Sequence, residues 1–268
     1  MPRFISKPPP FRAVSEGGLN VASGKIPGVS VVHKFGRNES IGTTYTLIST
    51  GGVYQMLQPA AAVTLWVKAG GNAADTAAGV GARSVSFQGL DETGAEVTAT
   101  VATAGASASL ATTETFIRLY RSWVATSGAY ATTATASQAA DIVIEDSGSA
   151  ADWATIQFVS PGLGQTEIGA YSVPLGKTAY IQSAILQVDS TKAVDLALFQ
   201  RQSILDAAAP YQAARIVFQA VALDGIETVR PLTPFGPFPA LTDLFWMGKV
   251  AAGTGSATID YEIVLEDT

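Results

Sequence analysis

The chain has 268 residues, 47% of them apolar and only 14% charged, with a net charge of −6 and no cysteine. That length suits one large or two modest domains with a sizeable core. It excludes a disulfide framework and any thiolate metal site, and no run of about 20 apolar residues exists to cross a membrane as a helix.

A charge content well under the roughly 25% usual for soluble domains has two readings. Either much of the surface is covered by other subunits, or the surface is an uncharged β-type one of Ala, Thr, Gly and Ser. The charge is also uneven. Residues 1–40 carry Arg3, Lys7, Arg12, Lys25, Lys34 and Arg37 against Glu16 and Glu39, a net of +4, which leaves −10 on the remainder. The opening Met1–Pro8 lacks the apolar run and cleavage site of a signal peptide.

Residues 1–40 read as an extended arm. Pro8–Pro10 favours polyproline II, and Pro2 and Pro27 bar regular ladders. Phe4, Phe11, Ile26, Val29 and Phe35 are spaced as anchors that lay the arm over its own body or a neighbouring copy. Its charges are spaced by Pro and Gly rather than packed into a run, which argues against nucleic acid as the partner.

Residues 41–160 read as a first β domain. Strands are expected over 43–49, 53–57 and 63–68, then a Gly-rich loop over Gly70–Gly81. Arg83–Gly89 and Glu96–Val101 alternate with period two around the turn Leu90–Gly94 and predict a hairpin. Thr115–Val124, Asp141–Glu145 and Ala154–Val159 complete the block, and 122–140 reads as loop plus weak strand.

Pro161, Gly162 and Gly164 mark a boundary, and residues 161–268 read as a second β domain. Tyr171–Val173, the turn Pro174-Leu-Gly176-Lys177 and Thr178–Val188 read as its first hairpin. Strands follow over 194–201, 213–221, 227–230, 244–250 and 257–265, the last two joined as a hairpin through 251–256. Residues 231–239 hold four prolines and cannot be a central strand; they read as a surface excursion. Short strands at this spacing with no helical pattern between them predict an all-β protein. Its expected form is an extended N-terminal arm followed by two antiparallel β-sandwich or jelly-roll-like domains.

No spacing of residues matches an active site. The single histidine, His33, lies in the arm, and no nucleophile elbow accompanies it. Gly176-Lys177-Thr178 resembles the end of a phosphate-binding loop, but the required upstream glycine is Tyr171 and a strand follows instead of a helix. Asp141, Glu145, Asp146, Asp260 and Glu262 lie at strand ends or along strands, where convergence on a glycoside is disfavoured. Asp260 and Glu262 are expected on the wet face of their strand, opposite Ile259, Tyr261 and Ile263. Asp75, Asp91 and Asp146 sit in loops without a calcium-loop pattern. Asn38-Glu39-Ser40 matches a glycosylation sequon by chance. No cofactor, catalytic residue or metal site is expected.

Two stretches carry a family resemblance. The first runs from Pro27-Gly-Val-Ser-Val-Val-His33-Lys34-Phe35-Gly36-Arg37-Asn38 through Asn72–Arg83, Gly89-Leu90-Asp91 and Thr115–Arg118. The second comprises Gly164-Gln165, Tyr171–Thr178, Thr242-Asp243 and Tyr261–Leu265. Together they resemble virion structural proteins of tailed bacteriophages, the marine and aquatic type. The resemblance implies a non-enzymatic virion protein present in multiple copies and assembled in the bacterial cytoplasm. The role it suggests first is capsid decoration, a cement protein that oligomerises with copies of itself as a trimer and docks on the major capsid protein. Attachment would run through Arg3, Phe4, Phe11, Arg12, Phe35 and Arg37 of the arm. The alternative is a tail, neck or fibre protein that binds a host receptor or surface glycan through loops such as Asn72–Gly81 or Pro231–Pro239. Nucleic acid and membrane are not expected partners, and a polysaccharide hydrolase is disfavoured.

Overall fold

The computed structural model describes residues 20–50, 61–130, 137–158, 164–189 and 191–268. The expected strand at 53–57, most of the boundary at 160–163, and the arm residues Arg3, Phe4, Phe11 and Arg12 lie outside these residues. Among the described residues helix is confined to one turn at 20–22, and the rest is strand and loop. The protein is all-β.

The strands in chain order are β1 (Val29–Ile41), β2 (Thr46–Leu47), β3 (Leu65–Lys68), β4 (Ala82–Leu90), β5 (Glu96–Ala102), β6 (Arg118–Ser127), β7 (Ile142–Asp146) and β8 (Asp152–Ile156). They continue with β9 (Ala170–Ser172), β10 (Lys177–Val188), β11 (Val194–Arg201), β12 (Arg215–Leu223), β13 (Ile226–Val229), β14 (Phe235–Phe238), β15 (Asp243–Val250) and β16 (Gly255–Asp267). They form four sheets whose strand pairs are all antiparallel. The first large sheet has the order β1-β16-β10-β13, with β14 also on β10; the second has β12-β11-β15-β2, with β9 also on β15. The two small sheets are β3-β7-β8 and β5-β4-β6.

The large sheets face each other across one apolar cluster. Along β16, Ile259, Tyr261, Ile263 and Leu265 point inward in strict alternation, and Leu196, Leu198, Leu244 and Trp246 meet them from the second sheet. Trp246 lies edge-on to Tyr261 at 6.3 Å and to Phe218 at 6.1 Å. Such aromatic pairs add about 0.5–1.5 kcal/mol beyond the area they bury. A second cluster holds the small sheets together through Leu65, Val67, Phe87, Phe116, Ile142 and Ile156. Phe199, Phe245 and Met247, on the opposite face of the second large sheet, pack onto this second cluster. That sheet is therefore apolar on both faces and lies between the two cores.

Both ends of the chain build the larger unit. Residues 29–40, expected as the end of an extended arm, form β1, which pairs with β16 from Val29↔Glu266 to Ile41↔Gly255. The inward positions Lys34, Gly36 and Asn38 alternate with period two, as a paired strand requires. The small sheets, β3 to β8, are thus inserted between β2 and β9 of the larger unit.

The expected hairpin of β4 and β5 is present, with Leu90↔Glu96 closing it and Asp91 accepting from the amides of Thr93 and Ala95. The two hairpins expected in the second half are not. The turn itself is there: the Lys177 amide donates to the Pro174 carbonyl at 3.2 Å, and Gly176 takes a φ of 76° that a side chain would strain. But β9 pairs with β15 and β10 with β16, in different large sheets. Likewise β15 and β16 belong to different sheets, so 251–256 is a crossing rather than a hairpin loop. At both places inward apolar residues on each flanking strand are better buried by facing sheets than by adjacent pairing. Residues 231–239 also differ from expectation, since Phe235–Phe238 makes a short edge strand on β10. Its proline is compatible with an edge, where no further ladder bond is needed.

A buried ionic cluster joins the two units. Arg118 of β6, 1% exposed, grips both oxygens of Asp243 of β15 at 2.9 and 3.0 Å. Arg201 of β11 donates to the same carboxylate at 3.0 Å, and the Ser172 hydroxyl donates to it at 2.6 Å. Nearby, the Tyr120 hydroxyl donates to the Ser172 carbonyl at 2.6 Å.

Candidate functional site

The inward face of β1 holds Lys34, Gly36 and Asn38, all buried. Gly36 is there because the backbones of Gly169 and Ile48 lie against it; a Cβ would come within 2.3 Å of the Gly169 nitrogen. Lys34, in register with Tyr261, carries its ammonium into the space between β1 and the small sheet of β4, β5 and β6. There Nζ donates to the Tyr120 carbonyl at 2.6 Å, and no carboxylate among the described residues pairs with it. Burial, and then the nearby Arg121 guanidinium, pulls the Lys34 ammonium down to about 7.

This space is a cleft of about 420 Å³. Besides Lys34 its walls present Gln88 of β4, Glu96 of β5, Arg121 of β6, Gln165 and Tyr171 of β9. Arg121 donates to the His33 carbonyl at 3.0 Å and stands 5.9 Å from the centre of the Phe35 ring. Tyr171 is 2% exposed and packs its ring on Tyr120 at 4.6 Å. Its hydroxyl has no hydrogen-bond partner among the described residues. Burial, then the charge of Glu96 and the neighbouring Tyr261, pushes the Tyr171 phenol upward. Burial also raises Glu96, against the opposing pull of Lys177. The cleft therefore offers two basic groups, two amides and a carboxylate.

The residues singled out in the sequence have the following surroundings. Phe35 is half-buried under Arg121, and Arg37 pairs with Glu39 along the same strand. His33 points outward and pairs with Asp260, which with Glu262 occupies the wetter face of β16, as the alternation predicts. The Asn38 amide donates to the Leu47 carbonyl at 2.8 Å, so in the folded chain the sequon side chain is buried and engaged. Asp75 is fully buried and accepts from the amides of Ala82, Ala139 and Ala140. It pins the Gly-rich loop instead of offering ligands. Glu145 takes Trp66 Nε1 at 2.6 Å and Lys68 at 2.8 Å, Asp141 takes the Phe158 amide, and Asp146 closes a turn onto Gly148. Lys177 pairs with Asp267 across a strand pair. Among the described residues no three His, Asp or Glu side chains are grouped to hold a metal.

Sequence reasoning missed Lys34, Glu96, Arg121 and Tyr171 as a group. The signal available was the alternation of 33–38, in which Lys34 shares a face with Gly36 and Asn38 while His33, Phe35 and Arg37 share the other.

A second surface stands apart from the cleft. The strand β12 lies at the edge of its sheet and exposes Ile216 and Val221, and the adjoining strand β13 exposes Ile226. Tyr211 and Leu232 are exposed as well, Leu232 without cover from any described residue.

No family model and no curated protein matches the chain. Among solved structures it has a faint likeness to two of infectious bursal disease virus. One is the structure of the Gx strain, at 10% identity over 88% of this chain and 75% of that one, with a TM-score of 0.20. The other is the VP2 subviral particle, at 8% identity over 95% and 81%, also with a TM-score of 0.20. Scores this low carry no inference about fold or role.

Proposed function

We propose that this chain is a non-enzymatic structural protein of a tailed-bacteriophage virion, a capsid decoration protein that assembles with copies of itself. The observation that carries the assembly half is the β12 edge. It is nine residues long, unpaired on its outer side, and carries exposed Ile216 and Val221. An edge of this kind is a template for pairing with another chain, and exposed apolar side chains along it add area to bury. The low charge content is consistent with a surface closed by neighbours. The virion half rests on the sequence resemblance. In this reading the two large sheets make a jelly-roll-like sandwich and the small sheets a second sandwich. Residues 1–19, with Arg3, Lys7 and Arg12 against Glu16, tether the body to an acidic neighbour.

Quantitative mass spectrometry of purified particles tests the role. Many copies per particle are expected for a decorating subunit, and a few copies would move it to the tail or neck. Absence from the particle would contradict the virion reading. Removing residues 1–19 leaves β1 intact, so unchanged incorporation of that truncation would contradict the tether. A tail, neck or fibre role with glycan binding is the second reading, and the polar cleft beside Lys34 is the observation that favours it.

A further inference from the structure

We propose that the cleft between β1 and the β5-β4-β6 sheet binds a carboxylated sugar, with Lys34 and Arg121 holding the carboxylate and Gln88, Gln165 and Glu96 meeting hydroxyls. Two observations converge on this chemistry. The first is an uncompensated buried amine: Lys34 donates to a neutral carbonyl, no carboxylate among the described residues pairs with it, and the charge of Arg121 that acts on it has the same sign. An anion placed between them relieves both the desolvation and the repulsion, so the site favours negative charge at that end. The second is the rest of the wall. Two amides and a carboxylate supply donors and acceptors in the mixture that vicinal hydroxyls require, and simple inorganic anions leave Glu96 facing like charge. The volume, about 420 Å³, lies within the range of small-molecule sites and accommodates one sugar unit.

The inference does not depend on the assembly reading. A monomer that binds and a multimer that does not are separately observable.

Isothermal titration calorimetry on the full chain with glucuronate, glucose and acetate tests it. Glucuronate is expected to bind, and glucose and acetate each to bind at least about tenfold more weakly. Lys34→Met and Arg121→Gln are each expected to weaken glucuronate binding about tenfold. If Lys34→Met does not fold, Arg121→Gln carries the test. The proposal is overturned if no probe binds, if glucose or acetate matches glucuronate, or if the folded variants bind glucuronate as the wild type does.

Discussion

The inserted small unit and the larger unit around it are built from the same kind of strand but are wired differently. In the small unit most pairs are near in sequence, β4 with β5 and β7 with β8, and one ladder, β3 with β7, spans the unit. In the larger unit β11 and β12 pair as sequence neighbours, but β1 pairs with β16, β10 with β16 and β9 with β15, so most ladders join distant stretches of the chain. Apart from β3 with β7, the small unit closes short loops, which costs little chain entropy. The larger unit closes nearly the whole chain and must recover that cost from a deep core. The two units meet at the Asp243 cluster and at the apolar face of the second large sheet.

The largest expected effect comes from breaking that meeting point. Asp243→Ala leaves the buried Arg118 guanidinium without its carboxylate and takes the same partner from Arg201. Removing one member of a buried ionic cluster costs about 3–5 kcal/mol, readable by urea denaturation. A loss below about 1 kcal/mol would show that the cluster does not hold the units together.

Asp75→Ala acts within the small unit alone. It strands the amides of Ala82, Ala139 and Ala140, for an expected loss of about 2–3 kcal/mol. Hydrogen exchange should speed first at those three amides while β1 and β16 stay protected. Equal acceleration in the larger unit would mean that the two units unfold as one.

The cleft gives a pH signature. Lys34 is held near 7 in the folded chain, below its ordinary value of 10.5, so between those values the unfolded chain binds the extra proton. Stability therefore rises with pH across that window, by at most about 1.4 kcal/mol per pH unit from this group. Near the top of the window the raised phenols of Tyr171 and Tyr261 oppose it, because the unfolded chain ionises them first. Subtracting the Lys34→Met profile from the wild-type profile isolates the lysine. A flat difference from pH 7 to 10 would contradict the buried, uncompensated ammonium. The smallest expected effect is that of Tyr171→Phe without ligand, between zero and about 1 kcal/mol of added stability.

The same contrast decides what could be read from the sequence. The hairpin of β4 and β5 was legible because its turn and both partners lie within one short window. The turn at Pro174–Lys177 was legible too, since Pro174 and Gly176 carry their own backbone preferences. Its meaning was not, because which sheet each flanking strand enters is settled by β15 and β16, far along the chain. β1 was hidden by the prolines and glycines before it and by a partner strand at the opposite end of the sequence. Lys34 was hidden for a different reason. Lysine ordinarily marks solvent, and only the register with Tyr261 turns this one inward. Asp75 looked like a free loop carboxylate until three amides from two other segments closed on it.

The assembly claim meets its most direct test in the mass of the full chain in solution. Size-exclusion chromatography with light scattering would compare the wild type with Ile216→Lys/Val221→Lys. Both side chains are exposed on β12, so the change should leave the thermal midpoint within about 0.5 kcal/mol equivalent of the wild type. The wild type is expected to run as a trimer and the double variant as a monomer; a monomeric wild type, or a variant with the same mass as a multimeric wild type, would contradict assembly through the β12 edge.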